Sequence, residues 1–248
     1  MRISQYLDAT YLKTATQAGI TEKENLQKIV VLTEEAISYY YKLVMIREKY
    51  IPVVKKMLVA AKSAVLIGTV IDFPEGKSTI EEKLKEAQRA IDAGADELDF
   101  VINYTAFKEG NIDLITKEIT NCISFCLQHH KVIKFIIEVA ALSNEEIIVI
   151  SQLIKQIVLL NFGEENAKNV FVKSSTGFFK TELKNANGAT LENMRLISKN
   201  AKPLKIKAAG GVRDYEMAMK MIALGVDRIG TSASKEIIIK EQNINPGY

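Results

Sequence analysis

Short apolar runs alternate with amphipathic segments along almost the whole chain. Most of these runs are continuous rather than alternating, which is the pattern of parallel strands buried on both faces. Between them, apolar residues recur at the three- and four-residue spacing of helices that cover a sheet. The runs predict six clear strands at residues 64–71, 95–102, 132–139, 169–174, 204–209 and 226–231, and two weaker ones at residues 3–8 and Leu43–Ile46.

Residues typical of helix ends separate these segments. The Ser/Thr-x-x-Glu capping box, which predicts a helix start, occurs at residues 21–24, 78–81 and 143–146. Gly94 and Gly225 predict helix ends that lead directly into strands. Up to eight strand–helix units in 248 residues favour the α/β class and a single (β/α)8 TIM barrel, with residues 1–248 forming one domain. A doubly wound open sheet is the structural alternative.

Composition narrows the classes of function. Hydrophobic residues make up 48% of the chain and charged residues 25%, as in an ordinary globular enzyme. The net charge of +3 is spread without a basic stripe, so we expect no nucleic-acid partner. Lys134 and Glu138 interrupt the most apolar stretch, and the start lacks a signal-peptide core, so we expect neither a membrane span nor secretion. Two cysteines without a disulfide framework favour the cytoplasm.

Histidine is scarce, and this restricts the chemistry. The chain has only two, the adjacent His129 and His130, so a histidine-based metal site is nearly excluded. Neither a P-loop nor the glycine-rich dinucleotide-binding motif is present. Enzymatic chemistry would therefore depend on lysine, aspartate, glutamate, tyrosine or a bound cofactor.

Polar residues near the carboxyl ends of the predicted strands mark the candidate site, because TIM-barrel active sites lie at that face. We predict Asp8 at the end of the first strand, Asp99 on the fourth and Glu138 late in the fifth. Lys173 and Lys207 are predicted to end the sixth and seventh strands.

Two lysines at similar depth on adjacent apolar strands are unusual, because buried lysine is rare without a partner. Their proximity would lower the pKa of one amine, and a neutral amine can form a Schiff base with a carbonyl. Asp99 could neutralise the other lysine or relay protons. The alternative interpretation is that Lys173 or Lys207 forms a structural salt bridge or points outward between helices.

Two glycine-containing segments predict an anion site beside these lysines. Residues 210–213, Gly-Gly-Val-Arg, follow the seventh strand, and residues 230–232, Gly-Thr-Ser, follow the eighth. Glycine lets backbone N–H groups approach an anion, and TIM barrels often bind phosphate at these two loops. Arg213 could add a charge-assisted hydrogen bond.

The order and spacing of five segments resemble the deoxyribose-phosphate aldolase family, a family of metal-free class I aldolases. The segments are residues 73–76, 94–103, 134–138, 171–178 and 207–213. The resemblance implies reversible cleavage of 2-deoxy-D-ribose 5-phosphate to D-glyceraldehyde 3-phosphate and acetaldehyde. It also implies a phosphosugar as the partner and neither metal nor organic cofactor. A homo-oligomer is one assembly state that the sequence allows.

The resemblance also implies roles for individual residues. Lys173 is similar to the Schiff-base lysine, Lys207 to the lysine that tunes it, and Asp99 to the carboxylate that assists proton transfer. Asp8 is similar to a first-strand aspartate that belongs to the substrate site and supports the lysine network. The residues that match positions around the substrate phosphate are Gly177, Gly210, Gly211, Arg213, Gly230 and Ser232.

The chain departs from the family pattern at Ala9, Met45, Arg47, Glu48 and Ala233. These departures leave the two lysines and the aspartate in place but change the surroundings of the substrate. The final tyrosine, Tyr248, could fray or reach the barrel mouth. Two other functions remain open: another Schiff-base sugar-phosphate aldolase of transaldolase-like type, and a non-catalytic barrel that binds a sugar phosphate.

Overall fold

Eight parallel strands close into one barrel in sequence order in the computed structural model, which describes residues 2–180 and 188–244. Hydrogen bonds join each strand to the next and β8 to β1. The closed order confirms the (β/α)8 TIM barrel and excludes the open doubly wound sheet. The strands are β1 (Leu7–Thr10), β2 (Leu43–Ile46), β3 (Leu66–Ile71), β4 (Glu97–Val101), β5 (Val132–Ile136), β6 (Val170–Lys173), β7 (Lys205–Ala209) and β8 (Arg228–Thr231).

The helices lie between the strands, as their apolar spacing predicts. Within the described ranges, no helix combines the length and the apolar character needed to cross a membrane. The helices are α1 (Ala15–Ala18), α2 (Glu22–Tyr39), α3 (Ile51–Ala60), α4 (Ile80–Ala93), α5 (Tyr104–Lys108), α6 (Ile112–Gln128), α7 (Asn144–Asn161), α8 (Leu191–Ala201), α9 (Tyr215–Ala223) and α10 (Ser234–Ile244).

Two of the three predicted capping boxes are confirmed, at the starts of α2 and α7. The prediction of a box at residues 78–81 is wrong by one residue. Thr79 caps α4, accepting a hydrogen bond from the N–H of Glu82. Ser78 is occupied elsewhere, because both its N–H and its hydroxyl donate to the Asp72 carboxylate. Sequence spacing alone fits both registers, and this side-chain contact decides between them.

Strand boundaries differ most from the prediction at the first and fifth strands, whereas β3, β4, β6, β7 and β8 are shorter than predicted by one or two residues at an end. Residues Ile3–Tyr6 form a 3-10 helix, in which the carbonyl of Ser4 accepts the N–H of Lys42, and β1 begins only at Leu7. The prediction that Asp8 ends this strand is wrong, because β1 continues to Thr10. Strand β5 ends at Ile136. Glu138, predicted late in that strand, has a φ of +55°, which lies in the left-handed region rather than the extended region of a strand.

The interior of the barrel is charged at mid-height, where TIM barrels usually carry branched apolar side chains. Register places Asp99 beside Lys134 and Lys173 beside Lys207 on neighbouring strands. Since side chains alternate along a strand, Glu97 and Asp99 share one face of β4. All five of these side chains are buried. The closed sheet therefore brings together charges that are far apart in the sequence.

Candidate active site

Asp99 is fully buried on β4 and accepts hydrogen bonds from lysines on the next three strands. The Nζ of Lys134 lies 2.8 Å from its Oδ1, and those of Lys173 and Lys207 lie 2.9 and 2.8 Å from its Oδ2. Burial by itself would raise the pKa of the Asp99 carboxyl, but the three lysines hold that pKa well below its usual range. Asp99 therefore remains an anion.

Two further carboxylates and an arginine complete this group of charges. Asp8 lies 2.6 Å from the Nζ of Lys207 and accepts a 2.6 Å hydrogen bond from the Nε of Arg228. Glu97 lies 2.6 Å from the Nζ of Lys134 and 3.1 Å from the Nη1 of Arg228. We call these seven residues the charge cluster: Asp8, Glu97, Asp99, Lys134, Lys173, Lys207 and Arg228.

The charge cluster contains four basic groups and three carboxylates, so its fully charged form carries one surplus positive charge. Lys173 is the group that can remove this surplus charge by losing a proton. Burial, with a contribution from neighbouring Lys207, lowers the pKa of Lys173 to about 8 against the opposing effect of Asp99. For Lys134, the nearby Asp99 and Glu97 outweigh burial and raise the pKa. One neutral amine, that of Lys173, is thus accessible near physiological pH.

A cavity of about 420 Å³ opens above the charge cluster at the carboxyl ends of the strands. Lys173, the last residue of β6, lines this cavity, whereas the other six members do not. The prediction that Lys207 ends its strand is wrong, because β7 continues for two more residues to Ala209. Lys207 is consequently buried below the cavity floor. Gly230 makes room for it, since a Cβ there would lie 3.0 Å from the Lys207 Cε.

Loops after β1, β6, β7 and β8 form the rim of this cavity. Gly177, Gly210 and Gly211 have φ angles of +77°, +94° and +90°, in the left-handed region that favours glycine. No carboxylate is among the described residues that line the cavity. The rim is therefore suited to an anion. All six residues predicted to surround a phosphate lie on it: Gly177, Gly210, Gly211, Arg213, Gly230 and Ser232.

Asp8 is placed differently from these six residues. It is fully buried within the charge cluster and does not line the cavity, so it contacts Lys207 and Arg228 instead of the space available to a ligand. This location agrees with support of the lysine network.

Lys13 is an exposed cation of the rim that the sequence motifs did not indicate. Two side chains hold the backbone there: Asn25 Nδ2 donates to the Lys13 carbonyl at 3.3 Å, and Arg47 Nε donates to the Leu12 carbonyl at 2.9 Å. Lys13 lies shortly after the end of β1. This position near a strand end is the feature of the sequence that could have indicated a residue of the rim.

The predicted site also lacked Glu97, Lys134 and Arg228, which complete the charge cluster. A usable signal was present for Lys134, since it interrupts an apolar strand in the same way as Lys173. Glu97 lies two residues before Asp99, the spacing that puts two side chains on one face of a strand. Arg228 begins β8 and gave no comparable signal.

Glu138 holds the start of the loop that follows Lys173. Its carboxylate accepts hydrogen bonds from the hydroxyl of Ser175 at 2.5 Å, from the N–H of Thr176 at 3.1 Å, and from the hydroxyl of Thr176. The fully buried carboxylate thereby connects the end of β5 to the loop that carries Gly177. Its proximity to the strand end was predicted, but this positioning contact was not.

The departures from the family pattern lie in several places. Met45 is fully buried, and a Cβ added at Gly68 would lie 2.6 Å from its Cε, so the absent side chain at Gly68 accommodates it. Ala9 is also buried in the core. Glu48 forms an ion pair with Arg89 at 3.3 Å, away from the cavity. The predicted alternatives for Tyr248 concern a residue outside the described ranges.

Fold and site together define a (β/α)8 barrel in which a buried lysine with a lowered pKa lies beside a glycine-rich rim that carries cations. The model of the DeoC/LacD family aldolase matches residues 5–233. This chain belongs to that aldolase family.

Several aldolases are similar in sequence to this chain over nearly its whole length. A deoxyribose-phosphate aldolase of Thermococcus gammatolerans is 36% identical over 244 residues, which cover 98% of each chain. The enzyme of the same name from Mycoplasma capricolum is 35% identical over 98% of this chain and 97% of its own. The solved structure of QR15, an aldolase, has a TM-score of 0.78 and 30% identity over 98% of both chains.

Proposed function

We propose that this enzyme reversibly cleaves 2-deoxy-D-ribose 5-phosphate to D-glyceraldehyde 3-phosphate and acetaldehyde. The observation that carries this proposal is the amine of Lys173, which has a pKa of about 8 and lines a cavity with a cationic, glycine-rich rim. The aldolase family and the relatives named deoxyribose-phosphate aldolase support the choice of substrate.

In the cleavage direction, the neutral Nζ of Lys173 attacks the aldehyde carbon C1 of the open-chain sugar. The carbinolamine that forms takes up one proton from solvent, loses water and becomes an iminium ion. Loss of the C3 hydroxyl proton to water then breaks the C2–C3 bond. The C3 fragment leaves as glyceraldehyde 3-phosphate, and the bonding electrons move into the iminium to give an enamine. Protonation of the enamine at C2 and hydrolysis release acetaldehyde and restore the amine.

The charge cluster favours the iminium on electrostatic grounds. Deprotonated Lys173 leaves three basic groups opposite three carboxylates, and iminium formation returns one positive charge to a position 2.9 Å from Asp99. Because Asp99 has a pKa well below its usual range, it stays ionised and acts as the counter-ion of the iminium. The resemblance to the aldolase family supports its further role in assisting proton transfer through water. Burial is the main cause of the lowered pKa of Lys173, and Lys207 provides a neighbouring positive charge that lowers it further.

The rim would hold the substrate phosphate through backbone N–H groups at Gly210 and Gly211, with Arg213 and Lys13 as cations. Incubation with 2-deoxyribose 5-phosphate tests the proposal, with acetaldehyde and glyceraldehyde 3-phosphate measured separately. Formation of both in equal amounts is the expected result. Cleavage of ketose phosphates instead would indicate another Schiff-base aldolase, and binding without products would indicate a non-catalytic barrel.

The pH dependence of kcat/KM provides the first prediction. The free amine of Lys173 is the nucleophile, so kcat/KM is expected to rise with pH and to level off above about 8. Lys207→Met removes a like charge that lowers this pKa, so the rise should move to higher pH. Profiles of both proteins between pH 6 and 10 provide the measurement. An unmoved profile in the variant would show that Lys207 does not tune the amine.

The phosphate rim provides the second prediction. Arg213→Met is expected to raise KM for 2-deoxyribose 5-phosphate by roughly 10- to 100-fold, the usual range for a hydrogen bond to a charged group. Turnover of unphosphorylated 2-deoxyribose should change little, because that substrate offers no anion to Arg213. Arg195→Met, on α8, is the control for loss of an arginine that does not line the cavity. An equal effect of Arg213→Met on both sugars would contradict the assigned contact.

A further inference from the structure

Arg47, one of the departures from the family pattern, connects three loops at the mouth of the barrel. It follows β2, and its Nε donates to the carbonyl of Leu12 after β1 at 2.9 Å. Its Nη1 donates to the carbonyl of Phe73 after β3 at 3.2 Å, and its guanidinium lies 4.7 Å from the centre of the Phe73 ring. The side chain is half-buried. Arg47 thus holds the backbone of two loops, at Leu12 and Phe73, and also contacts the Phe73 ring.

The ring of Phe73 continues this connection across the barrel mouth. It meets the ring of Phe178 edge to face, with 5.0 Å between the centroids. Phe178 follows β6, and its N–H donates to the Thr176 hydroxyl at 3.0 Å. We call Arg47, Phe73 and Phe178 the aromatic bridge. It joins the loops after β2 and β3 to the loop that carries the residues immediately after Lys173.

The aromatic bridge ends inside the proposed reaction site. Phe178 and Lys173 line the same cavity, so a displacement of Phe178 changes the space available in that cavity. Strand β3 lies opposite β7 in the closed order of eight strands, and the anion-binding rim belongs to the loops after β6, β7 and β8 together with Lys13 after β1. The bridge therefore crosses the mouth from the side remote from β7, where no phosphate contact is assigned.

We propose that Arg47 is a specificity-determining residue, which fixes Phe178 through Phe73 and so restricts the carbonyl donor at Lys173 to small aldehydes such as acetaldehyde. This inference rests on the proposed function, since it concerns the donor of that same reaction. Arg47 acts as a positioning residue, because the cation is used in two carbonyl hydrogen bonds and one ring contact. The enzyme discriminates between aldehyde donors by excluding the longer one, because a donor longer by one methylene fits only when the Phe178 ring is displaced.

Trapping on Lys173 measures this selectivity without requiring sugar cleavage. The protein is incubated with acetaldehyde or with propanal, reduced with borohydride, and analysed for the rate of adduct formation on Lys173 by mass spectrometry. In Arg47→Met the ratio of propanal to acetaldehyde trapping is expected to rise about tenfold, within the range for one methylene in a pocket. Arg89→Met, an exposed arginine paired with Glu48, is the matched control and should leave the ratio unchanged.

A second variant addresses loss of folding. Phe178→Leu shortens the bridge without touching Arg47 and should raise the ratio similarly. The double variant should show no larger rise than Phe178→Leu alone, because both changes affect one contact chain. A folded Arg47→Met protein with the wild-type ratio, or a wild-type ratio in Phe178→Leu, would overturn the inference. If the wild-type protein traps no acetaldehyde, the proposed function itself fails, which distinguishes the two outcomes.

Discussion

Lys173→Met is expected to lower the rate of C–C bond cleavage on the order of 10⁴-fold or more, as removal of a covalent nucleophile does in other enzymes. No other member of the charge cluster can replace it, because Lys134, Lys207 and Arg228 do not line the cavity. Borohydride reduction in the presence of acetaldehyde should give an adduct in the wild-type protein and none at this position in the variant. Both measurements address the covalent step directly.

The same substitution should leave the protein folded. Lys173 is the basic group that gives the charge cluster its surplus charge, so methionine leaves three basic groups opposite three carboxylates. Burial penalises the protonated lysine, as its lowered pKa indicates. We therefore expect an unchanged or higher melting temperature. Full activity in Lys173→Met, or an adduct confined to another lysine, would refute the assigned nucleophile.

Asp99→Asn is expected to affect both activity and stability. The cleavage rate should fall roughly 10²- to 10⁴-fold, the usual range for loss of a group that assists proton transfer. Stability should fall by about 3–5 kcal/mol, the cost of leaving buried charges without their partner. The physical reason is that three lysines share this single carboxylate, and the substitution leaves four basic groups opposite two carboxylates. Chemical unfolding and steady-state kinetics provide the two measurements.

A compensating variant separates the two effects of Asp99. Asp99→Asn combined with Lys134→Met leaves three basic groups and two carboxylates, which restores the surplus of one positive charge. Stability is expected to recover substantially, whereas activity should stay low. Asp99 raises the pKa of Lys173, so its loss favours the neutral amine. Protonation of Lys173 therefore does not account for the low activity of the variant, which should persist above pH 8. Recovery of activity together with stability would reduce Asp99 to a structural counter-ion.

The barrel could be predicted from the sequence because the patterns that indicate its strands and helices arise between residues that are close in the chain. Continuous apolar runs and helical spacing each arise within a few residues, and the order of strands then leaves few topologies. The lysines were found because charge inside an apolar strand is conspicuous, and register confirmed that Lys173 and Lys207 are neighbours. Glycines of the rim were predicted because their backbone freedom is visible in the residue type.

Long-range contacts were decided only by the tertiary structure. Asp8 and Arg228 are 220 residues apart, and closure of β8 onto β1 brings them into contact. Which lysine becomes neutral depends on the sum of burial and all neighbouring charges, a quantity that no segment of sequence contains. Arg47 was visible only as a departure from a pattern, and its contacts with the loops after β1 and β3 gave it a role.

The sequence by itself therefore determined the barrel, the pair of lysines on neighbouring strands and the glycine rim. The tertiary structure decided the seven-member charge cluster, the depth of Lys207 below the cavity and the bridge from Arg47 to Phe178. The physical reason is the range of the forces involved. Backbone propensity and burial pattern act between near neighbours in the chain, whereas electrostatic balance and ring packing act between neighbours in space.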